Sequence, residues 1–215
     1  MTHFGNRRPG ATFDIDCRGA ECGFSLIEAL VALIILSIGI LGIVSLLALS
    51  KVSQHESIQR VRAVSLADDI IERIRRNPAG LSVYDIGLSS PLGGASLGAE
   101  PSPNCNSSRC NTSQLAGHDL WAWERLLDGT SATVTDGNTT SNTVGMGNVR
   151  ACIEFTADTG RSNSGIIDIV LQWKGLKETS DAVPGGGVVC GSAVGEDKAR
   201  RQLIVSSYVL DETEL

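Results

Sequence analysis

The chain has 215 residues, a formal net charge of −6 at pH 7, 24 glycines and only 4% aromatic residues. Its length admits one or two domains, and the acidic balance argues against a nucleic-acid partner. Few aromatics and many glycines point to a small core with long loops.

Residues 1–23 are polar. Their three arginines, Arg7, Arg8 and Arg18, are offset by Asp14, Asp16 and Glu21. An apolar run follows, and from Ala29 to Ser50 it carries no charge. That is about 22 residues, against the ~20 that cross a bilayer as a helix. A buried core helix of this length would carry some polar pattern, and the run is too long for the apolar core of a cleaved secretory signal. Glu28 interrupts it near its start. Basic residues flank both ends, so charge does not set the orientation: Arg7, Arg8 and Arg18 lie before, Lys51, Arg60 and Arg62 after. The cysteines speak to it instead. Cys105, Cys110, Cys152 and Cys190 follow the run in loop-rich sequence. Disulfides need an oxidising compartment, which places the C-terminal part outside the cytoplasm.

The stretch "GFSLIEALVALIILSIGILG" resembles the N-terminus of type IV pilins and type II secretion pseudopilins. In that superfamily a prepilin peptidase cuts after a glycine and N-methylates the new first residue. The resemblance implies cleavage between Gly23 and Phe24, N-methylation of Phe24, and Glu28 as the fifth residue of the mature chain. It also implies a role for Glu28. A charge in the hydrocarbon region costs ~2.5–3.5 kcal/mol at mid-bilayer and less near the interface. Cleavage frees an α-amino group on Phe24, and that ammonium can pair with Glu28 of a neighbouring subunit, fixing register. This leader is longer than usual for the class, and Cys22 before the cleavage glycine departs from the common pattern.

Beyond the apolar run the pattern turns amphipathic. Val61, Val64, Ala67, Ile71 and Ile74 recur at intervals of three and four, one helical face directed inward. Asp69 with Arg73 and Glu72 with Arg76 form acid-first i,i+4 pairs. Arg73, Arg75 and Arg76 suit a helix C-terminus, and Asn77-Pro78 stops it. One helix over 24–77 is predicted, roughly 80 Å long at 1.5 Å per residue. Its interior Gly39 and Gly42 read equally as close-packing positions or as a weak point. "ALSKVSQHESIQRVRAVSLADDIIERIRRNPAG" resembles the helix end of the PilV-type minor pilins, the pilus modification proteins.

Leu81 to Asn111, rich in Gly, Ser and Pro, reads as loop. Within it Cys105 and Cys110 enclose "NSSR", a candidate local disulfide. "TSQLAGHDLWAWERLLDG" reads as a second helix with Leu120, Trp123, Leu126 and Leu127 inward. Four strands follow. "SATVT" runs into an Asp136-Gly137 turn, and "NVRACIEFT" places Val149, Ala151, Ile153 and Phe155 on one face. "IIDIVLQWK" does the same with Ile167, Ile169, Leu171 and Trp173, and "RQLIVSSYV" is last. Strands after a helix imply an α+β fold: a long N-terminal helix, membrane-spanning in its first half, packed against a small antiparallel sheet. Cys152 and Cys190 are the second disulfide candidates, tethering a long loop as in the disulfide-bounded C-terminal region of pilins. Spacing leaves the connectivity open.

The expected organisation is a leader, 1–23, removed on maturation, then a helix, 24–77, spanning the membrane over 29–50, then an exported globular domain, 78–215. His118 beside Asp119 is the single histidine of that domain, and no nucleophile elbow, phosphate loop or metal-ligand spacing stands out. Catalytic, cofactor-binding and metal-ligating residues are therefore not expected, and the chain reads as a non-enzyme. The resemblance implies a minor pilin acting in type IV pilus assembly, as part of a priming or tip complex, and supporting adhesion or motility. Its implied partners are prepilin peptidase, other minor pilins and the major pilin, the inner-membrane assembly platform and a tip adhesin. The implied location is the inner membrane with a periplasmic domain, then the pilus. The alternatives are a minor pseudopilin of type II secretion and a membrane-anchored or tip-displayed binding module.

Overall fold

In this computed structural model the described residues are 25–130, 133–137, 139–142, 146, 148–183, 187–192 and 197–215. Residues 1–24, with the expected leader and the expected cleavage residues Gly23 and Phe24, lie outside them. The first element, α1, runs from Leu26 to Arg76. The chain divides into two compact units between Leu47 and Ala48, each taken by itself below.

In the first unit residues 26–47 form apolar helix with every residue exposed. An added Cβ at Gly39 or Gly42 would meet no atom within 4 Å, so neither glycine answers a steric demand among the described residues. So continuous an apolar surface marks contact with a membrane or another protein.

The second unit begins within α1 at Ala48. The helix ends in Arg73, Arg75 and Arg76, then a 3-10 turn at Pro78–Gly80 and a short helix α2, Leu81–Tyr84. Strand β1, Gly87–Leu92, comes next, then helix α3, Thr112–Leu127. Asn111 caps α3, accepting from the Gln114 N–H, while the Gln114 side chain accepts from the Asn111 N–H. This reciprocal pair satisfies two of the orphan donors at the helix start. Strands β2, Thr133–Asp136, and β3, Thr139–Asn142, form a separate two-stranded hairpin. Strands β4, Arg150–Ala157, β5, Gly165–Lys174, and β6, Arg200–Val209, complete a four-stranded antiparallel sheet of order β1-β4-β5-β6.

The result is the α+β arrangement expected from the sequence. Ala63, Ala67, Ile70 and Ile74 of α1 join Leu120, Trp123 and Leu127 of α3 and Ala151, Ile153, Ile167, Ile169 and Leu171 of the sheet in one core. The Trp123 indole N–H donates to the Leu66 carbonyl at 2.8 Å, so this fully buried indole is satisfied as a donor.

Four details correct the sequence reading. Val61 and Val64 do not face inward: Val61 is 67% exposed, and the buried line passes through Gln59 and Ala63 instead. Both lines share Ala67, Ile71 and Ile74, and small side chains at Ala63 and Ala67 let the helix backbone approach the core. Glu72 pairs with Arg75 at 2.7 Å, whereas Arg76 donates to the Glu72 carbonyl. Leu126 is half-buried, at the margin of the core. Finally, 81–111 is not all loop. It holds α2 and β1, and β1 is the fourth strand of the sheet, whereas Thr133–Asp136 of "SATVT" lies in the separate hairpin. β1 is an edge strand, where Pro91 is tolerated. It starts at Gly87 with φ 68°, a conformation that favours glycine.

Candidate functional site

The site suggested by sequence is the start of α1. The Ser25 carbonyl accepts the N–H groups of Glu28 (3.0 Å) and Ala29 (3.2 Å), which opens the helix. Glu28 lies in the first turn, where the helix dipole favours a carboxylate. Its described neighbours Leu26, Ile27, Leu30 and Val31 are all exposed and apolar. The next ionisable residue along the chain is Lys51. Among the described residues this carboxylate has no acid-base partner within reach. It can accept hydrogen bonds or pair with a cation brought by another molecule.

The globular unit presents polar centres of a different kind. Glu124, in α3, is only 2% exposed. Its Oε1 accepts from the Gly93 N–H (2.8 Å), the Ser96 N–H (2.7 Å) and the Ser96 hydroxyl, and its Oε2 from the Leu97 N–H (2.9 Å). Burial pushes this carboxyl up, but the Ser96 hydroxyl and the three backbone donors outweigh it and hold it below its ordinary value. One turn later Asp128 accepts from the Gly94 and Ala95 N–H groups. The segment 93–97 is thus bound to α3 through its backbone. Gly93 is required there: its φ is 121°, and a Cβ would sit 2.3 Å from the Val149 carbonyl oxygen.

A second network joins the helices. Arg73 donates to Asp69 (2.8 Å) and Asp119 (3.0 Å), and the Tyr84 hydroxyl donates to Asp119 (2.6 Å). Burial, and then the bond to Asp119, push the Tyr84 phenol well above its ordinary value. That keeps it a donor. At the other end of the unit Glu56 of α1 accepts from the Leu176 N–H (2.8 Å) and Arg201 (3.2 Å). His118 is buried, with Nε2 3.4 Å from Glu100 and 3.5 Å from the Asn106 amide. It links the segment around Cys105 to α3. These centres pair helices with loops. Among the described residues no group of three or more His, Cys, Asp or Glu side chains is placed to hold a metal ion.

The structure pairs Cys105 with Cys110 and Cys152 with Cys190. Cys152 and Cys190 are buried beside Val170, whereas Cys105 and Cys110 are half-exposed. A thiol reagent reaches a disulfide only through accessible sulfur. Brief treatment with a mild reductant followed by alkylation is therefore expected to label Cys105 and Cys110 first. Labelling of Cys152 should wait for unfolding, and equal rates from peptide mapping would contradict that order.

None of the loop-binding acceptors was singled out from sequence. The segment 93–97 lay in the stretch read as loop, and nothing in the chain order tied it to Glu124 and Asp128. The proposed cleavage residues Gly23 and Phe24 lie outside the described residues, so Glu28 is the part of that motif with described geometry.

Comparison with known families returned two adjoining matches. Residues 18–48 match the prokaryotic N-terminal methylation motif, and residues 47–121 match a family described as type IV pilin Tt1218. Searches of curated proteins and of solved structures gave no match. The first match covers Glu28 and the exposed apolar helix. The second covers the packed part of α1, α2, β1 and most of α3, so the similarity to a type IV pilin family lies in residues 47–121 and the methylation motif in residues 18–48.

Proposed function

We propose that this chain is a minor pilin of the PilV type, made as a prepilin and acting in the assembly of a type IV pilus. The observation that carries this reading is the methylation-motif match across 18–48, which takes in the helical stretch 26–48 where every residue is exposed and whose first turn holds Glu28. On this reading prepilin peptidase cuts between Gly23 and Phe24 and methylates Phe24. The helix over 29–50 anchors the subunit in the inner membrane, and the disulfide-bearing part is periplasmic. The subunit then joins other minor pilins and the major pilin, as part of a priming or tip complex that supports adhesion or motility. Its role is structural: the polar centres of the globular unit bind its own loops.

Mass spectrometry of the mature N-terminus tests the first step. The expected product begins at N-methylated Phe24. Gly23→Leu should block processing while leaving membrane insertion intact, because the apolar run is unchanged. A Gly23→Leu chain cut as efficiently as the parent would remove the cleavage assignment. Comparing the proteins that co-purify in sheared pili with those in membranes tests the second step. A chain present in membranes and absent from pili, in cells that make pili, would argue against the pilus.

A further inference from the structure

His118 is buried in α3, and both of its close polar contacts use one ring nitrogen. Nε2 lies 3.4 Å from the Glu100 carboxylate and 3.5 Å from the Asn106 amide nitrogen. The first neighbour only accepts hydrogen bonds, and the second donates them. One ring nitrogen serves one of the two at a time. Its lone pair accepts from the Asn106 amide, whereas its N–H donates to Glu100. Which bond forms is set by whether Nε2 carries a proton.

Both neighbours belong to the segment that carries the Cys105–Cys110 disulfide. Glu100 Oε1 also accepts from the Asn104 amide (2.7 Å), and Asn104 Oδ1 accepts from the Asn106 N–H (2.8 Å). The Asn104 carbonyl accepts the N–H groups of Ser107 and Ser108. A hold on Glu100 is thus passed to the turn that the disulfide closes. On the other side of the contact α3 is fixed in the core through Ala116, Leu120 and Trp123. Residues 99–111 are exposed or half-buried throughout, so the segment is the side that opens. Other charged groups surround the ring. Asp119 is engaged by Arg73 and Tyr84. Arg125 lies 5.1 Å from the centre of the Trp121 ring, which is itself 5.8 Å from His118, and Arg109 is exposed in the disulfide turn. Burial and the arginines oppose a charge on His118, and Glu100 favours one. Glu100 makes the direct contact.

We propose that His118 is a pH-operated clasp on the disulfide-bearing segment: a proton on Nε2 commits the ring to Glu100 and closes the segment on α3, and loss of that proton releases Glu100. Imidazole is the side chain that ordinarily changes charge between about pH 5 and 8, and an ordinary glutamate is ionised across that range. The sign follows from linkage. The closed segment, with Glu100 on the ring, binds the proton more tightly than the open one. Closure therefore strengthens as pH falls through this window and weakens as pH rises. The clasp goes beyond the pilin reading and needs neither cleavage at Gly23 nor assembly.

The readout is the rate at which a phosphine reductant opens Cys105–Cys110 in the full chain in detergent, followed by alkylation and peptide mapping. Glu100→Gln keeps the shape of the partner and loses its charge. Dividing the parent rate by the Glu100→Gln rate removes the pH dependence of the reagent itself. Because a charge-assisted bond is roughly twice as strong as a neutral one, this ratio should fall about fivefold or more from pH 8 to pH 5. His118→Gln, which stays neutral, should give a ratio to Glu100→Gln that does not change with pH. An intact Cys152–Cys190 bridge shows that each variant is folded. A parent ratio that is flat, or that rises as pH falls, would overturn the proposal. So would a His118→Gln chain that keeps the parent's pH dependence, or a His118 ring whose NMR signals stay fixed between pH 5 and 8. Incorporation into pili plays no part in these measurements. Failure of the clasp leaves the pilin reading standing, and a processed chain that never enters pili sinks that reading without touching the clasp.

Discussion

Glu28→Ala and Glu28→Gln are both expected to leave cleavage, membrane insertion and the disulfide-bearing domain intact, and to lower recovery in sheared pili about a hundredfold. Insertion should even ease, since a carboxylate in hydrocarbon costs ~2.5–3.5 kcal/mol at mid-bilayer. What is lost is the partner of the Phe24 ammonium on the proposed neighbour. Two unit charges at 4 Å interact by about 4 kcal/mol at an effective dielectric of 20, part of which desolvation cancels. A residue of about 2.7 kcal/mol corresponds to the hundredfold loss. Glutamine keeps the size and one acceptor but loses the charge, so it separates charge from shape. If charge governs, glutamine behaves nearly as badly as alanine. The measurement is the ratio of each variant in sheared pili to the same variant in membranes. Parental ratios for both would mean that Glu28 is a tolerated carboxylate at the end of an apolar helix with no part in assembly.

Glu124 is where the largest loss of stability is expected in the globular unit. Glu124→Ala leaves the N–H groups of Gly93, Ser96 and Leu97 without their acceptor. A bond to a charged acceptor is worth about 1.5–3 kcal/mol, and water reaches part of the released segment, so a total of about 3–4 kcal/mol is expected. Glu124→Gln is milder, at about 2 kcal/mol, because one oxygen remains while the amide NH2 opposes the Leu97 N–H.

The pH dependence has a definite sign. The folded carboxyl lies below its ordinary value, and an unfolded glutamate titrates near ~4.3. The folded state therefore holds fewer protons than the unfolded state across this window. Its stabilisation is complete above the unfolded value and is lost as pH falls through the folded one. Denaturant melts of parent and Glu124→Gln should differ by a constant amount near neutrality, and the difference should shrink below about pH 4. A difference that stays constant down to pH 2 would show that the Glu124 charge does not hold the 93–97 segment. Asp181, Asp211 and Glu214 are also held low, but they are common to both proteins and cancel in the comparison.

The apolar helix was legible from sequence because its signal is one of composition over length: no charge from Ala29 to Ser50 leaves few other structures available. α3 was legible from its amphipathic pattern and terminal glycine, and β4 and β5 from period-two alternation, which the register bears out with Ile153 against Ile169. Glu28 could be singled out for the same reason, as the one charge at the edge of an uncharged run. Tertiary structure decided the rest. "GLSSPL" has no strand propensity of its own, and it becomes β1 because β4 offers an edge to pair with. The choice between Val61–Val64 and Gln59–Ala63 as the inward line of α1 could not be made from periodicity, since both continue into Ala67, Ile71 and Ile74. It was made by how closely the helix backbone must approach the core. Likewise Glu124 looks like any solvent-facing charge on an amphipathic helix. It is buried because the 93–97 backbone needs acceptors, and a contact between residues some thirty positions apart leaves no local trace in the chain.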